Sequence, residues 1–224
     1  MTLISNSSFK FLRELKENNN REWFAAHKSE FLAEKQKVET FFQEILENFK
    51  KHDSIESLKM FRIYRDVRFS KNKEPYKTHF SGHFVRASKS RRGGYYLQIS
   101  PNNSFLAGGF WEPNKEDLFR IRKEFEMDAV EIRKVIDEPN FKKYFGNLKG
   151  DSLKTAPRGF DKAHSDIDLI RMKQFIAVRN FSDAEVLSPN FLDEVDNSFK
   201  ALRPFLNYMS DVLTTDLNGV SIIE

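Results

Sequence analysis

Two different hydrophobic spacings in the first third of the chain constrain the fold more than any other feature. From residue 21 to about 50, Phe24, His27, Phe31, Val38, Phe42, Ile45 and Phe49 recur at steps of three, four and seven, with Trp23, Phe41 and Leu46 widening the stripe. Lys and Glu fill the opposite side, which is the signature of an amphipathic helix packed on a core. Asn20, the last of three consecutive asparagines, supplies its N-cap. Between 60 and 69 the spacing falls to two: Phe61, Ile63, Val67 and Phe69 would face one way, and Arg62, Tyr64, Asp66 and Arg68 the other. Arg65 breaks that alternation, falling on the apolar side, where a guanidinium needs a carboxylate or carbonyls to satisfy its donors. A chain that carries both periods is of mixed class.

The remaining elements follow the same logic. Pro75 closes a loop over 70–75, and strands are expected at 79–87, 94–100, 104–111 and 174–181, with Pro101-Asn102-Asn103 turning between two of them. Asn114, with Asp117 three residues later, starts a helix whose buried stripe is Leu118, Ile121 and Phe125. A short helix follows Asp128, the Gly- and Pro-punctuated stretch 150–164 is a loop, and 166–172 is helical. Ser188-Pro189 opens a long final helix lined by Phe191, Val195, Phe199, Leu202, Leu206, Met209 and Leu213, with Pro204 expected to kink it. The sum is an α+β domain spanning 1–224: an antiparallel sheet of about five strands flanked by long N- and C-terminal helices. Its 23 phenylalanines need burial, which argues against disorder. With no cysteine, disulfides, thiol nucleophiles and thiolate metal sites are excluded. The N-terminus has no signal-peptide pattern and no window reads as a membrane span, so a cytoplasmic protein with no membrane partner is expected.

Charge is concentrated rather than spread. Residues 62–92 hold ten Lys or Arg against Asp66 and Glu74, a net of +8 in a chain whose total is +4, so everything else sums to −4. Such a local field favours anions. Arg62, Arg65, Arg68, Lys73 and Lys77 could converge on a phosphate, a carboxylate or a nucleic-acid backbone. The bland alternative is a solvated face on which Asp66 pairs with Arg68. His164, near Arg158, Asp161 and Asp168, is placed either for proton transfer or simply to close its loop, and Asp66 is the other candidate acid or base. His79 and His83 lack a recognisable third ligand, so no metal site is expected; His27 reads as a core histidine and His52 as a surface one. Gly108-Gly109 lacks the strand-to-helix context of a dinucleotide fingerprint and reads as a bulge or a close backbone approach. Neither a phosphate loop nor any other cofactor motif is present, and no reaction is implied. Tyr95, Tyr96, Phe110 and Trp111 are either core residues or base-stacking ones.

Five blocks carry a family resemblance: N-N-N-R-E-W-F at 18–24, R-D-V-R-F-S-K-N-K-E-P-Y-K at 65–77, G-Y-Y-L-Q-I-S-P at 94–101, G-G-F-W at 108–111, and P-R-G-F with a later His at 157–164. In this order they resemble a widespread, mainly bacterial family of conserved hypothetical proteins catalogued as a domain of unknown function. The resemblance implies a cytoplasmic single-domain protein and no established activity, substrate or cofactor. The expected function is therefore a basic pocket built from Arg62, Arg65, Arg68, Lys73, Lys77 and Arg158, taking an anionic or phosphate-bearing small molecule. The alternative is a nucleic-acid or protein-binding module that uses the 86–92 loop and exposed aromatics.

Overall fold

The computed structural model describes residues 2–223. Five strands, β1 (Ile55–Met60), β2 (Phe80–Arg86), β3 (Gly94–Ile99), β4 (Ser104–Phe110) and β5 (Phe175–Phe181), hydrogen-bond in chain order as one antiparallel sheet, which makes the fold α+β. The helices are α1 (Asn6–Glu17), α2 (Arg21–Ala26), α3 (Lys28–Phe49), α4 (Lys115–Met127), α5 (Val130–Asp137), α6 (Pro139–Phe145), α7 (Ile167–Ile170), α8 (Asp183–Val186) and α9 (Phe191–Thr214). The chain divides into two compact units. One comprises the residues up to Val85 with Tyr96–Leu106 and Asn180–Asn197; the other comprises Arg86–Tyr95, Ala107–Arg179 and everything from Ser198 onward.

In the first unit, α3 packs phenylalanines onto the sheet. Phe42 stacks on Phe84 at 6.0 Å, Phe49 meets Phe84 edge-on at 5.1 Å, and Phe31 stacks on Phe80 at 6.2 Å. Gly82 makes this approach possible, because a Cβ there would lie 2.8 Å from the Phe42 ring. In the second unit Phe199 and Phe205 of α9 meet Tyr95 and Phe141, while Phe125 of α4 packs edge-on against Phe175. The double glycine of β4 is a close approach, as expected: a Cβ on Gly108 would be 2.3 Å from Leu202, and one on Gly109, at φ +130°, would be 2.1 Å from the Phe175 carbonyl.

Three expectations need correction. The helix expected over 21–50 is two helices, breaking at His27, whose ring stacks on Trp23 at 4.0 Å and whose Nδ1 lies 2.8 Å from the Trp23 carbonyl. The apolar stripe runs across the break because both pieces face one core. His52 is not a surface group, since its Nε2 sits 2.7 Å from a carboxylate oxygen of Asp196 and its side chain is largely buried. The strand expected at 60–69 lies earlier, at β1, and of the supposed inward face Ile63 alone is buried; Phe69 is 96% exposed. Residues 61–79 instead leave the sheet after Met60 and return at Phe80.

Candidate functional site

That excursion is where the sequence placed its charge, and a few contacts fix its shape. An antiparallel bridge joins Tyr64 to Tyr76; the Arg65 amide donates to the Pro75 carbonyl at 2.8 Å and the Lys77 amide to the Ile63 carbonyl at 2.7 Å. Tyr76 is buried and stacks on Phe24 of α2 at 4.0 Å. Asn19 clamps it from the other side, with Nδ2 donating to the Tyr76 carbonyl at 3.0 Å and Oδ1 accepting from its amide at 3.1 Å. The three asparagines thus have separate tasks: Asn18 terminates α1 on the Glu14 carbonyl, Asn19 holds Tyr76, and Asn20 caps α2 by accepting from the Trp23 amide. The blocks at 18–24 and 65–77 are one structural device.

The bridge sets Arg65 opposite Pro75 and Lys77 opposite Ile63, and both cations reach one cleft. With Asp66, Glu74, Tyr76, Thr78 and His79 they line an open cleft of about 420 Å³. Its lining sets Arg65 and Lys77 against the carboxylates of Asp66 and Glu74. Burial pushes the His79 imidazole down from 6.5 to about 4, and the Lys77 and Arg65 charges push in the same direction. Burial likewise lowers the Lys77 ammonium, with Arg62 adding to the effect. Arg65 reaches one carboxylate, Glu74, at 3.4 Å. Among the described residues no carboxylate pairs with Lys77 or Arg62.

The remaining sequence candidates are placed differently. Asp66 is held by Arg68 at 2.6 Å, both exposed, and that hydrogen bond holds the Asp66 carboxyl below its ordinary range. Lys73 donates to the Val67 carbonyl at 3.0 Å. Arg158 is exposed and belongs to the other unit, as do the cations of the 86–92 loop. Within that loop Arg86 is buried against Asn207, Ser210 and the Arg92 carbonyl, while Arg92 pairs with Asp117 at 2.5 Å. Tyr95 and Phe110 are core, Tyr96 is half-buried and Trp111 is exposed. His79, weighed in the sequence only as a metal ligand with His83, is the further cleft residue; its place two residues after Lys77 in K-T-H was the available signal.

His164 lines a second cleft, in the second unit, of about 550 Å³. Both of its nitrogens are engaged: Nδ1 accepts from the Asp166 amide at 3.1 Å and Nε2 donates to the Glu126 carbonyl at 3.1 Å. A backbone N–H aimed at Nδ1 fixes the Nε2–H tautomer, so the ring closes its loop and presents no free lone pair to a substrate. Beside it Arg133 bridges Asp166 at 2.9 Å and Asp168 at 2.5 Å.

Among the described residues no group of three or more His, Asp or Glu is placed to hold a metal ion, and no helix is long and apolar enough to cross a membrane. No curated protein and no solved structure matches the chain. A family model does, over residues 7–208, described as conserved hypothetical protein (DUF2461), and the chain belongs to that family.

Proposed function

We propose that the cleft formed by Arg65, Lys77 and His79 binds an anionic small molecule or the phosphate of a larger ligand. The observation that carries this reading is that Lys77, half-buried and without a carboxylate partner, faces the same cleft as Arg65. A cation kept close to other cations is unfavourable for stability alone, and an oxyanion supplies the missing counter-charge. Arg65 offers a planar fork and Lys77 a point charge. Arg62 strengthens the field; Arg68, Lys73 and Arg158 are not needed at the cleft. The proposal concerns binding, in a cytoplasmic setting, and assigns no reaction. The test is thermal unfolding with inorganic phosphate, sulfate and simple carboxylates. Phosphate should raise the midpoint by mass action, and Arg65→Ala with Lys77→Ala should abolish the rise. No phosphate-dependent rise in the wild type, or one that survives the double substitution, refutes it.

A further inference from the structure

The cleft opens onto a second feature, which the sheet itself provides. Alternation along β2, β3 and β4 turns Phe80, Gly82, Phe84, Leu97 and Leu106 into the core and leaves His83, Tyr96 and Phe105 half-exposed on the opposite face. Three rings there form a continuous ladder that begins at the cleft. The Lys77 ammonium lies 5.3 Å from the centre of the Phe61 ring, Phe61 lies 6.1 Å from Tyr96, and Tyr96 lies 5.5 Å from Phe105. Phe61 is 38% exposed. The Tyr96 hydroxyl donates to Gln98 at 3.1 Å, and Gln98 is itself tied to the Asn103 carbonyl at 3.0 Å, so the central ring is fixed in orientation. Every one of these residues belongs to the first unit.

We propose that this sheet face binds a short single-stranded nucleic acid, its bases stacked on Phe61, Tyr96 and Phe105 and one of its phosphates held by Arg65 and Lys77. This extends the oxyanion reading above and rests on it. The ladder argues for a strand rather than a single nucleotide, because one nucleotide occupies one ring and leaves the other two unused. Charge complementarity points the same way. Lys77, which has no carboxylate partner among the described residues, lies over Phe61 at the cleft end of the ladder, so a phosphate held there leaves Tyr96 and Phe105 for the bases that follow it. Aromatic faces accept any base, so the preference is for unpaired strands, not for a sequence; a duplex keeps its bases stacked inside and cannot use the rings.

The experiment uses the full chain and a fluorescein-labelled single-stranded DNA octamer, read by anisotropy, against a short duplex of the same sequence. The octamer should bind about 10-fold more tightly than the duplex or better, and Tyr96→Ala or Phe105→Ala should weaken it about 5- to 100-fold, the range that the loss of one stacked base gives. The same variants should keep the phosphate-dependent rise in melting midpoint. Should they fail to fold, ultraviolet crosslinking of a halogenated-uridine octamer to the wild type, mapped by mass spectrometry, must place crosslinks on Phe61, Tyr96 or Phe105. Equal affinity for octamer and duplex, unchanged affinity in folded ring variants, or crosslinks confined to other segments overturns the inference. Stabilisation by phosphate or mononucleotides alone sinks the strand while leaving the oxyanion cleft standing; silence from both phosphate and octamer removes both.

Discussion

The second unit and the cleft of the first use the same side chains in opposite ways. In the second, arginines are fasteners: Arg120 donates to the carbonyls of Thr215 and Asp216 and pairs with Glu124 at 2.6 Å, Arg133 bridges two aspartates, and Arg92 is paired with Asp117. In the first unit's excursion over 61–79, Arg62 and Lys77 have no such partners, and Arg65 has a single long one. A satisfied guanidinium rigidifies whatever it joins, whereas an unsatisfied cation raises the local potential and waits for a counter-charge. Net charge over a sequence window cannot separate the two cases, and the window 62–92 holds both.

The largest expected effect that tests this contrast is on pH dependence. His79 titrates at about 4 in the folded chain, against 6.5 for an ordinary imidazole. Above 6.5 the ring is neutral in both states and contributes nothing. As pH falls from 6.5 toward 4 the unfolded chain takes up a proton that the folded one refuses, so stability is lost through that window, by about 3 kcal/mol in full. Urea unfolding between pH 7.5 and 4 should therefore show a steeper fall for the wild type than for His79→Gln. Parallel curves would mean that burial in the cleft, with the Lys77 and Arg65 charges beside it, does not keep His79 neutral in the folded chain. Next in size, Arg120→Met should cost about 2 kcal/mol, because it strands partly buried carbonyls and Glu124. A loss below about 0.5 kcal/mol, the level of an ordinary surface change, would remove the fasteners from the comparison.

Much of the frame was legible. The caps at Asn20 and Asn114, the strands β2 to β5 and the amphipathic stripe of the last helix all have local causes, and local causes leave marks on a sequence. The misread strand shows the limit. Phe61, Ile63, Val67 and Phe69 alternate, yet Phe69 faces water and Phe61 joins a ring ladder, because a bridge from Tyr64 to Tyr76 and a clamp from Asn19 outweigh the period. The clamp links residues 57 apart in the chain, beyond any window of periodicity. Arg65 and Lys77 were legible as charge. Their pairing in one cleft, with His79 beside them, was not, because it depends on that bridge; nor was the assignment of Arg158 and the 86–92 cations to the other unit.

A smaller effect sharpens the contrast from the cleft's side. Lys77→Met should leave stability within about 1 kcal/mol of wild type or raise it, since it removes a half-buried, repelled cation whose loss offsets its contact with the Phe61 ring. The same substitution should weaken the phosphate response. A loss above about 2 kcal/mol would show Lys77 to be as structural as Arg120.

The smallest expected effect is at Arg65, where sequence and structure disagree most sharply. On the apolar side of a strand, an unpartnered Arg65 would leave a buried charge, and breaking its pair would cost about 3 to 5 kcal/mol. In the excursion its side chain is 27% exposed, its contact with Glu74 is 3.4 Å, and Glu74 is 48% exposed. Glu74 does not depend on it: Asn72 donates to the carboxylate at 2.9 Å and accepts from the Glu74 amide at 2.8 Å. Removing the guanidinium therefore strands no buried group, and the pair belongs with surface ion pairs, worth about 0 to 1 kcal/mol. Arg65→Met should cost about 0.5 kcal/mol and Arg62→Met close to nothing. A double-mutant cycle with Glu74→Gln, followed by urea unfolding, should give a coupling of the same small size. A loss above about 2 kcal/mol at Arg65 would place it among the fasteners, and the cleft would then have only Lys77 to offer an anion.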